Sequence, residues 1–264
     1  MDVYDFHPGT RPLLISIPHA GTEVPADIQR RFTAAGRQLA DTDWFVDRLY
    51  GFARDLGASI ISARYSRYVV DLNRSSDSSS LYPGAPTSPV CPALTFDGRP
   101  IYAEEQQPHA AEIGERVQHY WQPYHARIAA ELEDLRHRHG AALLWDAHSI
   151  ASSIPALFTG RLPEFNFGTR DDASCPQDIA RSLRSTVEQD GRYSSILNGR
   201  FKGGYITEHY GRPALGICAV QLELAQRTYM DEASVPAWSA ERAQPAADLI
   251  ARLLGRFLDT LPRR

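Results

Sequence analysis

The chain has 264 residues, 43% of them hydrophobic and 23% charged, with a formal net charge of −4. That is enough apolar material for one large α/β domain and an ordinary balance for a folded chain. The slightly acidic charge argues against nucleic acid or an anionic membrane as partner, and no stretch approaches the roughly 20 apolar residues of a membrane span.

Cys91, Cys175 and Cys218 are odd in number and scattered, which fits a reducing cytoplasm better than a disulfide framework. Met1 to Asp5 lacks the basic and apolar regions of a signal peptide, so a cytoplasmic protein is expected.

In chain order, Leu13-Leu14-Ile15-Ser16-Ile17 is a short apolar run that stops at Pro18-His19-Ala20-Gly21. It reads as a buried strand with His19 at its C-terminal end, the end where open α/β sheets bind ligands. Glu23 to Ala40 is a connection with a short helix. From Asp43 to Ala53 the apolar residues at 45, 46, 49, 52 and 53 have helical spacing. Ala58 to Ala63 then reads as a strand, giving a β-α-β unit and a parallel pair. Tyr68 to Arg74 is β-rich.

Residues 75 to 108, with a serine cluster and prolines at 83, 86, 89, 92 and 100, predict a long irregular loop bordering the site. Ala110 to Arg138 is helical, with an interruption near Pro123. Ala141-Ala142-Leu143-Leu144-Trp145 repeats the plan of the first strand and leads into Asp146-Ala147-His148-Ser149. Ser149 to Gly168 reads as strand and turn, Gln177 to Glu188 as helix, Tyr205-Ile206-Thr207 and Ala214 to Leu224 as strands, and Ala240 to Leu261 as a closing helix. No repeat and no Gly/Ser linker divides the chain, so one domain over 1–264 is expected.

Two buried strands that each deliver a histidine at one end point to a shared zinc centre, in which three protein ligands leave one position for water. His19 and His148 are the first two ligands. For the third, Asp43 at a helix start is preferred to Glu23, which is followed by Val24-Pro25 and a turn away. Glu223 lies in the apolar run Val220 to Leu224, and a glutamate buried there needs a partner or a job. On a strand it shares a face with Gln221, and it is the candidate proton acceptor. Arg67, Asn73 and Arg74 supply donors that suit a carboxylate and a developing oxyanion. A serine hydrolase using Ser149 beside His148 lacks a Gly-x-Ser-x-Gly elbow.

Together these residues resemble the N-formylglutamate amidohydrolases. The likeness is carried by Ile17-Pro18-His19-Ala20-Gly21, Asp41-Thr42-Asp43-Trp44 with Val46 to Tyr50, and Ser66 to Arg74. It continues through Pro123-Tyr124-His125, Trp145 to Ser149, Phe201 to Thr207, Gln221-Leu222-Glu223 and Tyr229 to Glu232. That family is similar, at a distance, to the zinc carboxypeptidases and aspartoacylases. The resemblance implies an α/β fold with a central mixed, largely parallel sheet flanked by helices on both faces.

It also implies metal-dependent hydrolysis of N-formyl-L-glutamate to formate and glutamate, the last step of a histidine degradation route. The metal is Zn2+ or another divalent ion. By analogy with aspartoacylases, Asn73 and Arg74 bind the α-carboxylate and Arg67 polarises the scissile carbonyl, with one residue less between Arg67 and the Asn-Arg pair. Their glutamate base maps onto Glu223. Their first metal loop is His-x-x-Glu, whereas position 22 here is Thr22, which keeps Glu23 as the alternative to Asp43. Lys202, Tyr205 and Thr207 are candidates for the substrate's side-chain carboxylate. The alternative is a metal-dependent amidase for another small N-acyl amino acid; in either case a monomer or small homo-oligomer is expected.

Overall fold

The computed structural model describes residues 2–79, 88–233 and 235–261. Its centre is a seven-stranded sheet of β1 (Tyr4–His7), β2 (Leu13–Ile17), β3 (Ser59–Ala63), β4 (Ala142–Ile150), β5 (Phe165–Gly168), β6 (Ser195–Leu197) and β7 (Ile217–Ala225). The order across the sheet is β1-β3-β2-β4-β7-β5-β6. Pairings β2 with β3, β2 with β4, β4 with β7 and β5 with β6 are parallel, while β1 with β3 and β5 with β7 are antiparallel. This is the mixed, largely parallel sheet expected from the sequence. A small antiparallel pair, β8 (Met230–Asp231) and β9 (Ala237–Trp238), lies apart from it.

The helices are α1 (Ala26–Gln29), α2 (Ala34–Arg37), α3 (Val46–Leu49), α4 (Ala110–Arg116), α5 (Gln122–His139), α6 (Gln177–Asp190), α7 (Tyr205–Tyr210) and α8 (Ala240–Leu258). Because strand side chains alternate between faces, the central strands build two cores. Leu13, Ile15, Leu143, Trp145, Val220 and Leu222 pack on one face with Val46 and Leu49 of α3, Leu183 and Val187 of α6, and Leu249 and Leu253 of α8. On the other face Leu14, Ala142, Leu144 and Ala219 meet Tyr124, Ile128, Leu132 and Leu135 of α5 and Ile206 of α7.

Along that second face the apolar residues give way, toward the C-terminal ends of β2, β4 and β7, to Ser16, Asp146, His148, Gln221 and Glu223, all buried. The site is therefore the polar end of one core face. β4 runs on to Ile150, so Asp146 and His148 lie within the strand, on one side of it, rather than beyond its end.

Several local expectations are corrected. Tyr68 to Arg74 is not a strand but a run of turns. Its main chain is held by Val69 N–H on Ser66 O and by Asp71 N–H on Val90 O, which bend it across the site. Tyr205 to Thr207 begins α7 instead of forming a strand, because Ile206 buries against the α5 face of the sheet and tertiary packing overrides β-propensity.

Helix formation after Asp43 is limited to the single turn of α3 and a 3-10 turn at Gly51–Arg54, since Phe45 sits in the left-handed region at φ 61°. The irregularity expected near Pro123 is a π-turn at Val117–Trp121 joining α4 to α5 without a break. Pro123 has no N–H for the preceding turn, and a widened turn accommodates that gap. Between 75 and 108 the described residues are irregular, with single bridges Phe32 to Tyr102 and Leu94 to Pro100. Residues 80–87, with Pro83 and Pro86, lie outside the described residues. Among the described residues no helix is long and apolar enough to cross a membrane.

Leu253 on α8 is fully buried in the larger core and remote from the polar end. Leu253→Ala should cost about 2–5 kcal/mol in urea unfolding while leaving activity per folded molecule unchanged. A loss well under that range would mean that α8 is not held by this face.

Candidate metal centre and active site

His19 follows β2, and its carbonyl accepts the main-chain N–H of Asp43 at 3.0 Å, which ties the two segments together. His148 reaches the same point from β4. Asp43 Oδ2 lies 3.1 Å from His148 Nδ1 and 3.8 Å from His19 Nδ1. All three residues are buried, and one donor atom from each falls within 4.8 Å of the others. Asp43 Oδ2 also accepts the Ser149 N–H at 3.1 Å, which fixes the carboxylate.

The far nitrogens of both rings face carboxylates. His19 Nε2 is 2.8 Å from Asp71 Oδ1, and His148 Nε2 is 3.1 Å from Asp146 Oδ2. Such partners place the ring proton on Nε2 and turn the Nδ1 lone pair toward the centre. His19 Nδ1 is buried and has no hydrogen-bond partner among the described residues. Two imidazole nitrogens and one carboxylate oxygen, each turned inward with an orphaned nitrogen among them, form a donor set that fits zinc or a similar divalent metal.

The protein's own electrostatics differ between the two rings. Burial, reinforced by Arg67, lowers the His19 pKa below the ordinary histidine value. Burial also opposes charge on His148, but Asp146 and Asp43 outweigh it and raise its pKa well above the ordinary value. Asp71 is held well below the usual carboxylate range; burial works against this, and Arg67, His19 and Arg74 overcome it.

Glu223 pairs in register with His148 across β4 and β7. Its Oε2 accepts Gln221 Nε2–H at 3.0 Å, and Gln221 Oε1 accepts the Gly204 N–H at 2.7 Å. Burial pushes the Glu223 carboxyl up to about 8, with His148 pulling the other way and Asp43 adding to the rise. Arg67 donates to Asp71 Oδ2 at 2.6 Å, approaches Asp43 Oδ1 at 3.9 Å, and lies 4.6 Å from the ring centre of Phe96. The arrangement offers a metal cradle, a carboxyl that titrates near neutrality and a buried guanidinium side by side, which is the apparatus of assisted hydrolysis.

A family model described as N-formylglutamate amidohydrolase matches residues 11–230. The chain belongs to the N-formylglutamate amidohydrolase family. It is 48% identical over 256 residues to the N-formylglutamate deformylase of Pseudomonas putida, covering 97% of this chain and 96% of that one. Against the N-formylglutamate deformylase of Pseudomonas aeruginosa the identity is 49% over 257 residues, with 97% and 96% covered. The crystal structure of N-formylglutamate amidohydrolase from Ralstonia eutropha superposes with a TM-score of 0.84 at 25% identity, over 99% of this chain and 98% of that one.

Within this amidohydrolase family member, His19, Asp43, His148, Glu223 and Arg67 come together as one cluster. Glu23 does not join them: its side chain is 51% exposed and faces Arg64 at 3.4 Å. Asn73 is buried. Its Nδ2 lies 2.9 Å from His148 Nε2 and 3.4 Å from Asp146 Oδ2, and its Oδ1 accepts the Ile206 N–H at 2.8 Å. Arg74 donates from Nε to Ser88 Oγ at 3.1 Å, so the long loop touches it.

Thr207 is fully buried and donates to Asp146 Oδ2 at 3.3 Å, which places it behind the centre. Lys202 pairs with Asp171 at 2.8 Å, and both side chains are exposed. Tyr205 packs beside Trp121, with ring centres 5.7 Å apart.

The supporting residues Asp71 and Asp146 were not singled out from the sequence. Asp146 was legible, since it stands two residues before His148 on one strand and must share its face. Asp71, far from His19 in the chain, carried no local signal of its partner.

The raised carboxyl of Glu223 has a consequence for the metal-free protein. Its folded pKa of about 8 exceeds the ordinary glutamate value near 4.3, so the folded state binds more protons between those values. The contribution of Glu223 therefore falls as pH rises through that window. Chelator-treated wild type should lose stability relative to Glu223→Gln between pH 5 and about 8 in urea titrations. Parallel stability profiles for the two proteins would contradict the raised pKa.

Proposed function

We propose that the protein hydrolyses N-formyl-L-glutamate to formate and L-glutamate as a metal-dependent amidohydrolase, the last step of a histidine degradation route in the cytoplasm. The observation that carries this reading is the convergence of His19 Nδ1, Asp43 Oδ2 and His148 Nδ1, with Asp71 and Asp146 behind the rings and Glu223 beside them. The names of the Pseudomonas relatives support the choice of substrate.

His19, Asp43 and His148 would hold Zn2+ or another divalent ion, which when bound supplies Lewis acidity that brings water from a pKa of about 15.7 toward roughly 7. Glu223 accepts the proton of the water that attacks the formyl carbon. It then hands that proton to the departing amine as the C–N bond breaks. Arg67 donates to the former carbonyl oxygen as negative charge develops there.

Arg74 receives the α-carboxylate, with Asn73 beside it, which holds the scissile carbon in place. Of the candidates for the side-chain carboxylate, Thr207 and Lys202 already donate to Asp146 and Asp171. Tyr205 packs beside the Trp121 indole, which donates to the Arg74 carbonyl.

Formate release from N-formyl-L-glutamate should vanish on chelation and return with zinc. Glu223→Gln should lower kcat by about 10²–10⁴-fold with the metal still bound. Activity retained without metal would overturn the metal reading. Cleavage only of another N-acyl amino acid would move the substrate assignment.

Asp71→Asn should weaken zinc binding about 10–100-fold in competition with a chromophoric chelator. Unchanged affinity would show that the carboxylate behind His19 does not support a ligand.

A further inference from the structure

We infer that Trp121 and His125 are positioning residues for the substrate's α-carboxylate, acting through the main chain of Leu72 and Arg74. The inference rests on the assignment of Arg74 to that carboxylate. Neither aromatic residue reaches the metal cradle; both act from the helix behind it.

Trp121 Nε1–H donates to the Arg74 carbonyl at 2.9 Å, and His125 Nε2–H donates to the Leu72 carbonyl at 2.9 Å. The two donors thus bracket Asn73, whose own N–H is held by Asp71 Oδ1 at 2.9 Å and whose carbonyl accepts Arg74 Nη1–H at 3.0 Å. Every carbonyl from Leu72 to Arg74 has a named donor. A turn with no strand or helix ladder of its own is held at each carbonyl by a side-chain donor.

The clamp is itself built rigidly. The indole and imidazole stack with centres 3.7 Å apart and planes at 24°. They stand four residues apart, hence on one helix face, and the π-turn at Val117–Trp121 sets the phase of that face. On its other side His125 Nδ1 lies 3.0 Å from the Tyr210 hydroxyl, with the two rings nearly parallel at 14°. Burial pushes His125 down to about 3, so the ring stays neutral with one N–H to give to Leu72.

Within this turn Asn73 Nδ2 lies 2.9 Å from Nε2 of the metal ligand His148, and Arg74 Nη1 donates to the Asn73 carbonyl at 3.0 Å. A shift of the 72–74 turn would therefore move the carboxylate-binding arginine relative to the metal ligands. Recognition of a substrate anion by a planar fork depends on such placement.

The decisive variants are Trp121→Phe, which keeps the ring stack and deletes the indole N–H, and His125→Leu, paired with His125→Gln as a rescue that restores an N–H donor. Each is assayed metal-loaded on N-formyl-L-glutamate and on its α-carboxamide, with metal content and thermal midpoint measured alongside. The expected result for Trp121→Phe is a KM for N-formyl-L-glutamate raised about fivefold, the loss of one hydrogen bond, with kcat within about twofold of wild type. The α-carboxamide should show no such change, and His125→Gln should recover most of what His125→Leu loses.

Equal losses on both substrates, or losses that track metal content or melting, would overturn the inference. So would an unchanged KM in Trp121→Phe when Arg74→Ala raises it. An unchanged KM in Arg74→Ala would instead bring down the assignment of Arg74, and the positioning role with it.

Discussion

The constraint on which the site depends is the burial of four carboxyl groups, those of Asp43, Asp71, Asp146 and Glu223, at one end of a sheet. Unpaired buried charge is costly enough to unfold a domain. Each group is therefore tied to a partner. Asp71 takes His19 and Arg67, Asp146 faces His148 and accepts Thr207, and Asp43 accepts the Ser149 N–H. Glu223 meets the cost differently: its pKa rises to about 8 and it accepts Gln221. The same network that makes burial tolerable turns both Nδ1 atoms toward one point.

That network is possible because the sheet carries two different faces. One is apolar along its length and is covered by α3, α6 and α8. The other is apolar only at its lower end, where α5 and α7 cover it. The covering helices serve the polar end as well. The N-terminal residue pair of α7, Tyr205 and Ile206, is joined to Asn73 through the Ile206 N–H, and Gly204 before it contacts Gln221. At Gly204 an added Cβ would come within 2.3 Å of the Asn73 amide, so glycine is needed there for close approach rather than for flexibility.

Main-chain anchoring has the same logic. The 66–74 segment is irregular, yet Tyr68, Val69, Val70, Asp71 and Asn73 are all buried. Buried backbone polar groups must find partners. Here they come from α5, from the 88–108 segment and from side chains of the segment itself. An irregular loop held in this way can place Arg67, Asp71, Asn73 and Arg74 around a single centre, whereas a strand would send alternate residues to opposite sides.

Much of this was legible in the sequence because the signals are local. Apolar runs ending at His19 and His148 marked the strands, helical spacing marked α5, α6 and α8, and a glutamate inside Val220 to Leu224 announced a buried carboxyl with a job. The family resemblance lay in short motifs that keep their order. What the chain alone left open was decided by contacts between segments distant in sequence. The register of β4 against β7 sets Glu223 beside His148, and the His19 carbonyl draws in Asp43 while Glu23 turns to Arg64. Asp71 meets His19 only after the 66–74 segment has bent, and the Tyr205 to Thr207 run becomes helix because Ile206 has a core to enter. Periodicity reports which face a residue is on; only packing decides what lies opposite it.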